Sequence, residues 1–245
     1  DLESAPARVL AQRSAGIETN LLGREQVAEM EPDLAPDILG AIHCPNDGVA
    51  AHARVTGQYA AAARALGAAV DEHTALESCE FDGTQIRAVR TNTGERIEIN
   101  KACILVANSA TAGLLESAMD IHLPLWSTAL QVLLVKANQP VNVRHLIGHA
   151  SRTVAIKAEP GGLTMISGGY RGRWFSDEHR GETLPEAVQA NIDQASAVYP
   201  GLASATVEIA DANHQETMSI DGVPVIDRAA ADSNLFFATG WSGHG

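Results

Sequence analysis

The feature of this sequence that most limits its fold is its last stretch, an apolar run that breaks into closely spaced glycines. Leu235 to Ala238 follows the turn-forming Asp232-Ser233-Asn234, and glycines stand at positions 240, 243 and 245. The pattern predicts a short buried strand that ends in a loop. Glycines at this spacing let the backbone bring its N–H groups close to a ligand, as a nucleotide or flavin site requires. An ordinary glycine-rich surface turn is the alternative, because a single motif of this kind is weak evidence.

Charge and cysteine content narrow the class of protein. Thirty acidic and seventeen basic residues give a net charge of −13, which disfavours non-specific binding to nucleic acid. The chain has no apolar run near the roughly 18 residues of a membrane-spanning helix and no signal-peptide pattern, so we expect a cytoplasmic protein. Cys44, Cys79 and Cys103 are far apart and odd in number, which predicts reduced thiols rather than a disulfide framework or a metal site.

The hydrophobic period changes along the first half of the chain. Residues 1 to 40 have helical segments separated by breaks. An alanine-rich helix then begins at about His52, and its apolar residues recur on one face that we expect to pack on a flat surface. These residues are Val55, Tyr59, Ala63 and Leu66. From Ala68 to Ile99 the period becomes two, which predicts a small antiparallel meander.

The segment from Ala102 to Val106 is continuously apolar, as in a strand that is covered on both faces. Small residues follow it in Ala107-Asn-Ser-Ala-Thr-Ala-Gly113. They permit either the close approach of a cofactor or the tight packing of a helix on the strand, and the segment alone leaves both interpretations open.

The second half of the chain predicts one sizeable antiparallel sheet and one helix. The predicted strands are Thr128 to Val135, Val143 to Ile147, Thr153 to Ala158 and Leu163 to Ser167. The helix is predicted to start at a capping box in Thr183-Leu-Pro-Glu186 and to stop at Pro200-Gly201. His145 and His149 have metal-ligand spacing but no third ligand, so we assign no metal.

Three segments together resemble one family. They are the meander leading into Ala102–Gly113, the strand and turn Leu163–Tyr170, and Ser219–Ile226 running into the terminal segment. In this order they resemble the FAD-dependent amino-acid oxidases and dehydrogenases, a group that includes D-amino-acid oxidase, glycine oxidase and sarcosine oxidase. The terminal Gly-Trp-Ser-Gly-His-Gly is the only specific segment, and it is similar to sarcosine oxidase-like members.

The resemblance implies an α/β (α+β) fold with two interleaved domains. An incomplete FAD-binding domain would comprise residues 48–115 and 226–245. A substrate-binding domain with a large mixed or antiparallel sheet flanked by helices would comprise residues 1–47 and 116–225. Family members begin with a strand, a GxGxxG turn and a helix that hold the FAD pyrophosphate, and this sequence lacks that segment. We therefore expect the 245 residues to be a piece of a longer polypeptide.

The resemblance also implies roles for particular residues. Leu76 would lie against the adenine, and Ala107, Asn108 and Ser109 would pass the FAD. Backbone amides of the terminal loop would face the flavin pyrimidine ring and stabilise the anionic reduced flavin. The loop residues so assigned are Gly240, Trp241, Ser242, Gly243, His244 and Gly245.

Two charged residues are assigned to the substrate by the same resemblance. Arg171 would bind a substrate carboxylate, or would be a solvated arginine in a turn. Glu216 stands where glycine oxidase-like members carry a carboxylate-binding arginine. Either another basic residue would take the carboxylate, or the substrate would present a cation or a bulkier imino acid there.

The implied activity is oxidation of the CH–NH bond of a small amino or imino acid, by hydride transfer to flavin N5 and hydrolysis of the imine. Other subunits of a dehydrogenase complex are possible partners. The alternative is a non-catalytic substrate-binding or structural fragment that does not bind FAD by itself.

Overall fold

The structure is a computed structural model in which residues 3–243 are described. Five α-helices occur within these residues. They are Ala5–Ser14 (α1), Arg24–Met30 (α2), His52–Ala65 (α3), Ala110–Met119 (α4) and Pro185–Val198 (α5).

The strands alternate with these helices along the chain. In the first half they are Asn20–Gly23 (β1), Gly40–His43 (β2), Leu76–Asp82 (β3), Gln85–Thr91 (β4), Arg96–Glu98 (β5), Cys103–Leu105 (β6), Leu125–Ala129 (β7), Val132–Lys136 (β8) and Ile147–Gly148 (β9). In the second half they are Ala155–Glu159 (β10), Leu163–Ser167 (β11), Arg173–Phe175 (β12), Arg180–Glu182 (β13), Thr206–Asp211 (β14), Gln215–Ser219 (β15), Val225–Arg228 (β16) and Leu235–Thr239 (β17). Helices mixed with several antiparallel sheets confirm the predicted fold class.

The first of two compact units contains the largest sheet. It comprises Ala129–His214 and the described residues up to Ala50. The sequence predicts one sizeable antiparallel sheet, and the structure contains such a sheet with the strand order β14-β8-β11-β10-β9. Leu133, Ile156 and Ile166 point from one face of the sheet into a core that also contains Ile192 and Val198 of α5. Burial of these side chains is the main stabilising contribution in this unit.

The second unit contains two three-stranded sheets. It comprises residues 51–128 and 215–243 of the described chain. The predicted meander is present as β3-β4-β5, although it begins at Leu76 rather than at Ala68. A second sheet has the order β16-β17-β6. Strands β6 and β17 are parallel, and Leu105, Leu235 and Phe237 share a core with Ile86 and Leu115. The assignment of a cofactor to one half of the chain and a substrate to the other stays a prediction.

Helix α3 differs from the expectation that its apolar face packs on a flat surface. Val55, Tyr59 and Leu66 are 41%, 75% and 90% exposed, and the helix has no buried residue. The helix forms because alanine-rich sequence favours it, but no surface among residues 3–243 covers its apolar face. The periodicity is right, and the predicted packing is wrong for this part of the chain.

Strand β6 also differs from its prediction. Leu105 is buried, but Ile104 and Val106 are 73% and 57% exposed. The strand is therefore covered on one face within the described residues, although its continuous apolar sequence predicts cover on both.

Local signals in the second half were partly wrong. The predicted strand from Thr128 to Val135 is divided into β7, which pairs with β15, and β8, which belongs to the five-stranded sheet. Leu130 between them forms an isolated bridge with Arg171. The predicted strand from Val143 is reduced to Ile147–Gly148. Helix α5 forms where expected, but its N-cap is Leu184 and no side chain caps it, so the Thr183 capping box is absent.

Candidate functional site

The parallel pairing of β6 and β17 brings two predicted site segments to one edge of a sheet. Leu105 pairs with Phe237 in this register, and both strands end within two residues of that pair. Parallel strands release their following loops at the same edge. The turn at residues 107–109 and the bend at residues 240–243 therefore begin side by side.

Hydrogen bonds join these two segments. The hydroxyl group of Thr239 donates to the backbone oxygen of Asn108 over 3.2 Å, and Thr239 is fully buried. The Asn108 side-chain amide donates to the backbone oxygen of Gln215 over 2.9 Å. Asn108 itself has a left-handed φ of 44°, a conformation that asparagine tolerates better than most residues. The turn is thus held by β17 on one side and by β15 on the other.

The rest of this turn leads directly into α4. The N–H of Ala107 donates to the Thr111 hydroxyl over 3.0 Å, and Ser109 is the N-cap residue of the helix. A helix therefore follows the strand directly, and its Leu115 shares a core with Leu105 of β6. The role of Ala107, Asn108 and Ser109 beside FAD stays a prediction.

The terminal bend is fixed by the left-handed backbone of Gly240, Ser242 and Gly243, with φ values of 75°, 56° and 77°. A Cβ at Gly240 would lie 3.0 Å from the Leu125 Cδ2 and 3.4 Å from the Ser219 Cβ. The backbone at Gly240 therefore lies in close contact with its neighbours, which is a physical reason for glycine there.

Ser242 anchors the bend to β15. Its backbone N–H donates to the Thr217 oxygen over 3.0 Å, and its hydroxyl oxygen accepts the Ser219 N–H over 3.0 Å. Ser242 is 5% exposed despite its left-handed backbone, a conformation that costs about 1–2 kcal/mol in a non-glycine residue. In this conformation the Ser242 amide is occupied within the chain. The predicted positions His244 and Gly245 lie outside the described residues.

Glu216 contacts the same bend. Its Oε1 accepts the backbone N–H of Gly243 over 3.3 Å, and the side chain is half-buried. Because a carboxylate is an acceptor only, this contact fixes the position of the bend. Whether Glu216 touches substrate stays a prediction.

Two buried polar atoms of this corner have no hydrogen-bond partner among residues 3–243. They are the Asn108 Oδ1 and the Thr217 Oγ1. A buried polar atom without a partner costs about 1–3 kcal/mol, so such atoms mark places where a polar ligand group or water can improve stability. A flavin pyrimidine ring carries both a donor N–H and acceptor carbonyl groups, so this pair of atoms fits its chemistry.

Sequence reasoning missed the contribution of β15. Thr217 and Ser219 are buried while their neighbours on the strand are half-buried. Polar residues at alternate positions of a buried strand face were the available signal. Their partner Ser242 was not predictable as such, since the contact depends on which strands pair.

Leu76 and Arg171 occupy separate environments. Leu76 begins β3, where its half-buried side chain packs against the second unit's core. Arg171 belongs to the first unit, where its backbone bridges Leu130 and its side chain is exposed. Their predicted contacts with adenine and with a carboxylate stay predictions.

Two features are absent from residues 3–243. No group of three or more His, Cys, Asp or Glu in that range could hold a metal ion. None of the helices in that range is long and apolar enough to cross a membrane.

Comparison with known proteins defines the family. The model of the family described as FAD dependent oxidoreductase (DAO) matches residues 1–245. The chain therefore belongs to this family, and the resemblance seen in the sequence is confirmed. No curated protein matches the sequence significantly.

Solved structures share the fold. Glycine oxidase from Geobacillus kaustophilus is 20% identical with a TM-score of 0.77. The alignment covers 98% of this chain and 62% of that chain. L-proline dehydrogenase from P. horikoshii is 18% identical with a TM-score of 0.87. The alignment covers 100% of this chain and 64% of that chain. Fructosyl peptide oxidase from E. terrenum is 13% identical with a TM-score of 0.79. The alignment covers 100% of this chain and 63% of that chain. This chain thus spans less than two thirds of the length of these structures.

Proposed function

We propose that this chain is part of an enzyme that binds FAD and oxidises the CH–NH bond of a small amino or imino acid. The observation that carries the proposal is the hydrogen bond between Thr239 and Asn108, which joins the terminal bend to the small-residue turn. Membership of the FAD-dependent family supports the cofactor. The names of the similar glycine oxidase and L-proline dehydrogenase support the substrate class.

The residues that would hold the flavin ring surround this corner. Asn108 Oδ1 and Thr217 Oγ1 would exchange hydrogen bonds with its pyrimidine edge, because both lack a partner among residues 3–243. Gly240 would let the backbone approach the ring without a Cβ in the way. When bound, FAD supplies the acceptor for the hydride from the substrate carbon, and water then hydrolyses the imine.

The protein's own part in this reaction is to position the reactants. Glu216 would hold the bend through the Gly243 amide rather than remove a proton. Arg171 is the cation that the resemblance offers for the substrate carboxylate. A dedicated base is not required, because orienting the amine and excluding water are the main needs of hydride transfer.

We also propose that further polypeptide completes the cofactor site. The exposed apolar faces of α3 and β6 support this, since Leu66 and Ile104 are 90% and 73% exposed and large contiguous apolar surface usually marks an interaction site. The relatives are longer than this chain. The covering polypeptide would be the rest of the same protein or another subunit of a dehydrogenase complex. The same exposed faces favour the second candidate, a structural fragment that does not bind FAD by itself.

The first experiment measures FAD binding. The intact natural protein is purified, its visible spectrum is recorded, and flavin released by denaturation is quantified with and without added FAD. The mass of the intact natural protein is measured in parallel. A flavin spectrum and turnover of amino or imino acids with an artificial electron acceptor would support the enzyme. Colourless protein that takes up no FAD would refute the enzyme proposal and support the alternative, a structural fragment.

Variants at Glu216 separate positioning from contact with the substrate. Glu216→Gln keeps an acceptor for the Gly243 N–H, whereas Glu216→Ala removes it. A positioning role predicts that Gln retains FAD affinity and Ala loses it. Loss of activity in both variants with unchanged FAD affinity would instead assign Glu216 to the substrate.

A further inference from the structure

A cavity in the first unit contains a charged side chain that the sequence analysis did not assign. The cavity has a volume of about 230 Å³. It lies on the face of the large sheet opposite the core, where cross-strand neighbours Lys157 and Met165 of β10 and β11 form part of its wall. Gly48–Ala50 and Leu146 also line it.

Lys157 is the only charged residue among those that line this cavity within residues 3–243. Its side chain is 22% exposed, and its Nζ lies 2.6 Å from the Oε1 of Glu159, which is 27% exposed. Glu159 follows two residues later on the same face of β10. A lysine ammonium has three N–H donors, so the ion pair leaves donors for a second acceptor.

The remaining walls are mainly apolar. Val49 and Leu146 are 55% and 51% exposed, and Met165 adds a flexible side chain that adapts to different ligand shapes. Ser167 contributes a hydroxyl group. The volume is below the roughly 300–1,000 Å³ of pockets for drug-sized ligands. The cavity therefore suits a small molecule that combines one negative group with a short apolar part.

We propose that this cavity binds the small amino or imino acid through its carboxylate, and that Lys157 is the cation that receives it. The ligand class rests on the proposed function, whereas the position of the site rests on the cavity. Lys157 is better suited than Arg171, because the Arg171 side chain is exposed and attraction between charges weakens in water. Glu159 is a positioning residue that holds the ammonium group at the cavity.

The test measures binding to the protein without added FAD. Glycine and L-proline are titrated by calorimetry and by ligand-observed NMR, with glycinamide and L-prolinamide as probes that lack the carboxylate. We expect at least one of the two acids to bind and its amide to bind about 10-fold more weakly or worse, because a hydrogen bond between charged groups is lost.

Variants identify the cation. Lys157→Met should weaken binding of the acid about 10- to 100-fold, while Lys157→Arg should retain most of it. Lys136→Met is the matched control, because Lys136 is an exposed lysine on β8 of the same sheet. This control should leave the affinity unchanged. Arg171→Ala is titrated in parallel, because the resemblance offers Arg171 as the alternative cation. Circular dichroism confirms that each variant is folded.

The outcomes separate this inference from the proposed function. Equal binding by wild type and Lys157→Met, loss of binding in Arg171→Ala alone, or binding of neither acid to the wild type would overturn the inference. FAD uptake and turnover would still support the proposed function in those cases. Conversely, lysine-dependent binding of an acid in intact natural protein that takes up no FAD would sustain the site and refute the redox activity.

Discussion

A substitution at Gly240 gives the sharpest structural prediction for the terminal bend. In Gly240→Ala the left-handed φ of 75° costs about 1–2 kcal/mol. The new Cβ would also stand 3.0 Å from the Leu125 methyl group and 3.4 Å from the Ser219 Cβ. Overpacking costs about 1–3 kcal/mol, and the lower end applies because a leucine methyl group can move. The free energy of unfolding should fall by about 2–3 kcal/mol in total.

Gly243→Ala is the matched control for this effect. Gly243 has nearly the same φ, 77°, but a Cβ there meets nothing within 4 Å. Only the backbone cost of about 1–2 kcal/mol should appear. Urea titrations of both variants give the two free energies, and flavin binding gives the functional effect. Equal destabilisation, or unchanged FAD affinity in Gly240→Ala, would refute the argument that the bend is closely packed at a flavin site.

Other predictions concern buried groups away from the bend. Burial and the neighbouring Glu31 raise the pKa of Tyr199 above its unfolded value of about 10. The stability due to this shift is complete below about pH 10 and is lost as pH rises toward the folded pKa, so Tyr199→Phe should flatten the decline in urea titrations above pH 10. Burial raises the thiol pKa of Cys103, and burial together with Cys103 raises that of Cys79. Iodoacetamide at about pH 8 should therefore modify both thiols more slowly in the folded than in the unfolded protein; equal rates would contradict this. The side chain of Asn234 hydrogen-bonds to the backbone N–H and carbonyl groups of Ile86 in β4. Asn234→Ala should therefore lower the free energy of unfolding by about 1–3 kcal/mol. A change within error would show that water replaces the asparagine side chain.

Some elements were predictable because their cause is local. The spacing of Ile192 and Val198 defines α5, and the alternation along β10 and β11 defines the central strands of the large sheet. The Thr183 capping box failed because the chain enters the helix one residue later, at Leu184. A helix boundary of this kind depends on the direction from which the chain arrives, which the sequence pattern does not encode.

The faces that elements use were less predictable than the elements themselves. The apolar stripe of α3 predicts that another surface packs against this helix, but it does not indicate which residues form that surface. Strand β6 behaves in the same way. Its apolar sequence predicts that both faces are buried, but no part of residues 3–243 covers Ile104.

The candidate site was predictable only in part. The bend and the turn could be recognised from Gly240 and Asn108, and the parallel register of β6 and β17 explains why they meet. The alternation of Thr217 and Ser219 on β15 was an available signal, but their contact with Ser242 depends on which segments meet in the fold. Lys157 was missed because its significance comes from a cavity built by distant segments.

Fluorescence of Trp241 tests the central claim most directly. This half-buried residue lies in the bend itself, and a bound flavin nearby accepts its excitation energy. With Trp126 and Trp174 replaced by phenylalanine, FAD should quench the remaining emission in proportion to the flavin bound. Unchanged Trp241 emission when FAD is bound, or no FAD binding by the intact natural protein, would contradict the account.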